Sequence, residues 1–132
     1  MSLTIDITPG EPGTSRIKLT GDLDAETSPE LDKKMESLWS DPATRSIQLD
    51  LHALDYISSM GLGALAKIKK GAASRGGMMV AIGAQPQIAR VFAVVRLLPN
   101  ESLLTNHQEA DEYLNSIQQK IRDRLKQDNP GA

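Results

Sequence analysis

The sequence predicts an α/β fold of α+β character, a mixed central β-sheet with flanking helices in the order β-β-α-β-α-β-α-β-α. Three observations carry that prediction. Two alternating apolar runs near the start are split by the Gly/Pro-rich "TPGEPG" at 8–13, "MMVAIGA" at 78–84 is apolar at nearly every position, and amphipathic helical stripes alternate with short strand-like runs from residue 28 onward.

Taken in order, Leu3, Ile5 and Ile7 alternate, as do Ile17 and Leu19, which predicts a hairpin of two strands. In "GDLDAETSPEL", 21–31, Thr27 or Ser28 can cap a helix and Pro29 suits its first turn. Leu31, Met35, Leu38 and Trp39 form its apolar stripe, and "SDP" at 40–42 ends it. Ile47, Leu49 and Leu51 in "SIQLDLHALDYI" read as one strand delivering the chain to Ser58 and Ser59, a strand-to-helix corner. A helix near 60–75 follows, with Leu62, Leu65, Ala66 and Ala73 on one face and Gly76-Gly77 as its stop. "MMVAIGA" fits a central strand covered on both faces. Gln85-Pro86 opens a helix carrying Ile88, Val91, Phe92 and Val95, which Pro99 ends. A short strand near "SLLT", 102–105, leads into a long helix at about 108–127 bearing Ala110, Tyr113, Leu114, Ile117, Ile121 and Leu125. That helix outruns a small sheet, and "DNPGA" should fray.

At 132 residues with 39% hydrophobic content, a single domain over 1–132 is expected, its core at about 3–115. The absence of cysteine excludes disulfides, thiolate metal sites and cysteine nucleophiles, and it suits a reducing cytoplasm. Neither a signal-peptide pattern nor an apolar run of about 20 residues is present, so no membrane association is expected. A net charge of -2 with scattered aromatics gives no field for a phosphate backbone, so no nucleic-acid partner is expected. No cofactor or metal site is expected either.

The chemically interesting stretch is "LDYISSMGLGAL", 54–65. A serine at a helix N-cap accepts a bond from a free backbone N–H and contributes about 1 kcal/mol, but one serine suffices for that. With Ser58 capping, Ser59 stands in the first turn, where a phosphate would meet unpaired N–H groups and the positive end of the helix dipole. Gly61 and Gly63 lack the spacing and the following lysine of a nucleotide loop. They read as small residues that pack a helix start or let a partner approach. Asp55 reads as a solvated charge, Met78 and Met79 as core, and Met60 as the better interface candidate.

The element order, with "GDLDAETSPEL", "LDLHALDYISSMGLGAL" and "GGMMVAIGAQPQIARVFAVVRL", resembles the STAS domain over about residues 3–115, and within it the anti-sigma factor antagonists of bacterial partner switching. The resemblance implies the STAS fold and a non-enzymatic regulatory role in transcription. In that family a hydrophobic strand enters an Asp-Ser-Ser/Thr-Gly-Leu-like loop whose first serine is phosphorylated. Aligned on Gly61 and Leu62, that serine is Ser59; Ser58 stands where the family has aspartate and is the alternate acceptor, and Met60 replaces the following hydroxyl residue. The implied partners are an anti-sigma factor that is a serine-protein kinase of the histidine-kinase-like ATPase type, and a serine phosphatase that resets the switch. Asp22 and Asp24 match acidic positions near the family's phosphorylation loop; with Ser58, Met60, Gly61, Leu62 and Gly63 they form the expected partner-binding set.

Two alternatives stand beside this reading. A STAS scaffold that is never phosphorylated could serve a transport or signalling assembly. A serine hydrolase is remote, because Ile57 occupies the upstream glycine position of G-x-S-x-G, and neither His52 nor His107 is placed to meet Ser59.

Overall fold

The computed structural model describes residues 2–99 and 102–128. Its elements are β1 (Leu3–Pro9), β2 (Thr14–Leu23), α1 (Ser28–Trp39), β3 (Ser46–Asp50), β4 (Leu54–Ile57), α2 (Ser59–Ser74), β5 (Met79–Ile82), α3 (Pro86–Val95), β6 (Leu103–Leu104) and α4 (His107–Asp128). They form one mixed sheet in the order β1-β2-β3-β5-β6, with β4 paired to the far end of β2. The β1–β2 hairpin is antiparallel and every other pairing is parallel. The predicted class and order hold, with one strand more than expected.

That extra strand comes from the segment expected to run unbroken from Ile47 to Ile57. Thr14–Lys18 of β2 pair with β3, whereas Gly21–Leu23 pair with β4 after a register shift at Gly21/Asp22. Between the two strands the chain turns, with the Leu54 N–H donating to Leu51 O at 3.1 Å and the Gly21 N–H to Ala53 O at 2.9 Å. Gly21 holds φ at +107°, and a Cβ there would lie 2.4 Å from Ser2 O, so the bulge requires glycine. Leu51 is fully buried although it lies in the turn. Its burial continues the apolar alternation across a break in the strand.

The two faces of the sheet differ. One carries Ile17, Leu19, Ile47, Leu49 and Met79 into a core with Leu31 and Met35 of α1, Leu65 and Ile68 of α2, and Ile88 and Phe92 of α3. On the other, Val80 and Ile82 meet Ala110 and Leu114 of α4 in a smaller cluster. All four residues of β5 are therefore buried, as its uniformly apolar sequence predicted. The α1 and α2 helices close at their C-terminal ends through Trp39. Its ring lies 3.0–3.2 Å from the Cβ position of Gly71, and the Arg75 guanidinium stacks 4.7 Å from the ring centroid. Arg75 also donates to the carbonyl oxygens of Trp39, Asp41 and Thr44.

The α3 helix stops before Pro99. Arg96 adopts the left-handed conformation at φ 54°, and Leu97 N–H returns to Phe92 O at 3.0 Å, a Schellman closure formed without glycine. The α4 helix continues beyond the sheet, leaving Ile121 and Leu125 exposed. The expected fraying after it, at Asn129–Ala132, lies outside the described residues. Among the described residues, no helix is long and apolar enough to cross a membrane.

Candidate functional site: the corner between β4 and α2

Both serines sit at the carboxyl end of β4, and they differ in what holds them. Ser58 has an extended backbone at the N-cap of α2, its N–H donating to Leu23 O at 2.9 Å and its Oγ accepting from Gly61 N–H at 3.2 Å. Its carbonyl takes the first helical bond, from Leu62 N–H at 2.9 Å. Ser59 begins the helix and is exposed, and its hydroxyl and N–H have no partner among the described residues. The Met60 N–H is equally open. A free hydroxyl thus stands beside unpaired amide groups at the positive end of a 16-residue helix.

Around it the surface is apolar. Met60 is 61% exposed and Tyr56, two residues before the cap, is 47% exposed. Leu62 is half-buried and packs on the core, while Gly63 has open space where a Cβ would stand. The structure moves Gly61 out of the expected contact set and into the interior. It is buried, and a Cβ there would lie 2.5 Å from Leu23 O and 2.9 Å from Leu23 Cγ, so it lets α2 start against the end of β2.

The "GDLD" segment does reach this corner. Leu23 pairs with Ile57 and Asp22 with Tyr56 in the β2–β4 register. Asp24 organises its own loop, where its Oδ1 accepts from the N–H groups of Glu26 at 2.9 Å and Thr27 at 3.0 Å. Desolvation would raise its pKa, but the bonds from the Thr27 and Glu26 N–H groups outweigh it and hold the carboxyl below its ordinary value. Thr27 and Ser28, expected as caps of α1, make no capping bond. The Thr27 hydroxyl is turned back into the loop instead, donating to Asp22 O at 2.8 Å and accepting from Asp24 N–H at 3.0 Å. Asp55 is exposed and accepts from Gln85 Nε2 at 3.2 Å.

Both histidines are engaged elsewhere. The His52 Nδ1–H donates to Asp50 Oδ1 at 2.8 Å. His107, at the first turn of α4, places Nδ1 2.8 Å from Gln48 Oε1 and Nε2 3.6 Å from Asp50 Oδ2. The same Gln48 oxygen accepts from Arg16 Nε at 3.1 Å, and Gln48 Nε2 donates to Asp111 Oδ1 at 2.6 Å. Arg16 completes the ring through an ion pair with Asp111 at 3.0 Å. Desolvation opposes ionisation of Asp50, yet the His52 ring and backbone N–H, with His107 nearby, lower its pKa. This network docks α4 on the sheet, and Gln48, with 0% exposure, lies at its centre. The sequence signal for it was the polar phase of β2 and β3, which alternation alone assigns to solvent. Tyr56 was missed for a similar reason, since it reads as an ordinary strand aromatic.

The STAS domain family model matches residues 7–110 of the chain. Solved structures share the fold at low identity. The anti-sigma factor antagonist SpoIIAA in its unphosphorylated form superposes at a TM-score of 0.73 with 17% identity, covering 86% of this chain and 97% of that one. An anti-sigma factor antagonist from Mycobacterium paratuberculosis gives 0.73 with 21% identity over 86% and 95%. SLC26A9 gives 0.68 with 15% identity over 87% of this chain but 22% of its own. With a family match across most of its length, and with the strand order and corner just described, this chain belongs to the STAS domain family.

Proposed function

We propose that residues 1–132 form a single STAS domain acting in the cytoplasm as an anti-sigma factor antagonist, a binding module rather than an enzyme. In this reading the unphosphorylated corner docks an anti-sigma factor that is also a serine kinase, and phosphate on Ser59 releases it until a phosphatase resets the site. The observation that carries the reading is the division of labour between the serines: Ser58 caps α2, and the exposed Ser59 hydroxyl is left unpartnered between Tyr56 and Met60. Tyr56, Met60 and Gly63 would form the contact surface, with Ser58 as alternate acceptor and Asp22 beside it.

A phosphoserine adds roughly -1.5 to -2 charges and three acceptor oxygens. Set in an apolar contact beside Asp22, it would be desolvated and repelled, and a coupling of about 1–3 kcal/mol weakens a complex roughly 5- to 150-fold. The open amides of Ser59 and Met60 could hold the phosphate without refolding the helix. Docking would require no rearrangement of the scaffold.

The test is a pull-down from the source cell with wild type, Ser59→Ala and Ser59→Asp as baits, paired with intact-mass measurement of native protein. The expected result is a kinase retained by Ser59→Ala, depleted at least about tenfold by Ser59→Asp, and a phosphate on the native chain. If Ser59→Asp keeps every partner and no phosphate is found, the switch fails. The unphosphorylated scaffold, a reading supported by the place of this fold within SLC26A9, then replaces it.

A further inference from the structure

The sheet has two outer edges of unlike character. β6 spans two residues, too short to template another strand, whereas β1 spans seven. Ladder phase fixes which backbone groups of β1 are committed. The Asp22 N–H donates to Ser2 O at 2.9 Å and Gly10 N–H to Thr14 O at 3.0 Å, so the even-numbered residues exchange bonds with β2. The N–H and C=O groups of Leu3, Ile5 and Ile7 therefore point away from β2, and among the described residues nothing pairs with them. The side chains of these three residues are only half-buried, leaving the margin of the core open along the same edge.

Beside this edge a groove of about 680 Å³ runs between β1 and α1, bounded by Leu3 and Ile5 on one side and by Glu30, Lys33, Lys34 and Ser37 on the other. Lys33 and Lys34 are exposed and have no ion-pair partner among the described residues; Lys67 is the lysine that reaches Asp32. The rim thus carries two cations against one carboxylate.

We propose that the β1 edge is a docking site for an extended segment of a partner protein, apolar toward α1 and carrying carboxylates for Lys33 and Lys34. Such a segment would extend the sheet by one strand, taking affinity from main-chain bonds to Leu3, Ile5 and Ile7 and selectivity from the groove. A second copy of this chain fits less well. Full antiparallel overlap of two β1 strands centres on Asp6 and sets it against its own counterpart. A two-fold axis that continues the sheet also keeps both α1 helices on one face, bringing four lysines toward the seam. An acidic strand relieves both repulsions.

The probe is the seven-residue peptide acetyl-Glu-Thr-Val-Lys-Val-Thr-Glu-amide. Its alternate positions present valines and terminal glutamates to α1 and a central lysine toward Asp6. Two-dimensional amide NMR of the full chain, titrated to about 1 mM peptide, should shift Leu3, Ile5 and Ile7 and slow their hydrogen exchange. Methylating the peptide nitrogens that face β1 should abolish the effect, and Lys33→Glu combined with Lys34→Glu should weaken binding at least about tenfold. Ile5→Pro removes an outward N–H without touching a β1–β2 bond and should also abolish binding; if it disturbs the fold, the methylated peptide still decides between binding through the main chain and binding without it. The proposal is overturned by unchanged Ile5 and Ile7 amides at the highest peptide concentration, or by equal binding of the methylated peptide. It is likewise overturned by a solution dimer that Ile5→Pro dissociates, which would assign the edge to a second copy.

Discussion

Two helices in this chain begin with a pair of hydroxyl residues after a β2-linked segment, Thr27-Ser28 at α1 and Ser58-Ser59 at α2, and the two starts are built in opposite ways. At α1 both members are buried, the cap backbone is helical, and the Thr27 hydroxyl ties the preceding loop to Asp22 and Asp24. At α2 the first serine caps in extended conformation and the second faces solvent. The difference lies in what supports each turn. An ionised carboxylate, Asp24, organises the α1 start, so the Thr27 hydroxyl is absorbed into the loop and Ser28 is buried. A neutral serine and a glycine packed on Leu23 organise α2, and one hydroxyl is left over.

Substitutions can break or sharpen that contrast. Gly61→Ala has the largest expected effect: the new Cβ meets the Leu23 carbonyl, part of the backbone, and overpacking of this kind costs about 3 kcal/mol. Gly63→Ala, two residues on with open space, should instead be neutral or stabilise the helix by up to about 1 kcal/mol. Denaturant unfolding of the pair measures both, and equal stability would mean that the β2–α2 contact does not position the corner. Thr27→Val removes a buried hydroxyl with two backbone partners and should cost about 2 kcal/mol in the same assay. Ser58→Ala removes a single cap and should cost about 1 kcal/mol. Ser59→Ala should leave stability within about 0.5 kcal/mol of wild type. A Ser59 variant as costly as the Thr27 one would erase the contrast.

The smallest effect is a response to acid. The folded pKa of Asp24 lies below its ordinary 3.8, so its contribution is fully present above that value and disappears as pH falls through the lowered one. Acidification from pH 5 toward pH 2 should therefore speed amide exchange at Glu26 and Thr27, after correction for intrinsic rates, before it affects the Ser58-capped turn. Asp24→Asn should flatten that difference; uniform loosening of both starts would show that the carboxylate is not what separates them.

Much of the architecture was readable because each element's period matched its environment. The strand β5 is covered on both faces and is apolar throughout; α1 buries Leu31 and Met35 and α3 Ile88 and Phe92 from their expected stripes, whereas Val95 is exposed and α2 buries Ala64, Leu65, Ile68 and Ala72 in place of the expected Ala73 face. The corner was readable to the level of which serine caps, since N-cap chemistry is local. What escaped depends on partners distant in sequence. The break between β3 and β4 was hidden because Leu51 is buried in a turn and continues the alternation. The roles of Gly61 and Gly63 diverge because the end of β2 lies against one and not the other, a contact between residues far apart in the chain. The Arg16, Gln48 and Asp111 ring sits on a strand face that alternation assigns to water, until α4 arrives to cover it.

The single tryptophan adds an optical consequence. Trp39 is clamped between the Gly71 backbone on α2 and the Arg75 guanidinium, so its emission senses the spacing of α1 and α2 at the ends opposite their starts. A partner that seats on the Ser59 corner and leaves this lamp unchanged has docked on a rigid scaffold. One that shifts its colour or lifetime has levered the whole of α2, and the chain would then signal its own occupancy without an added label.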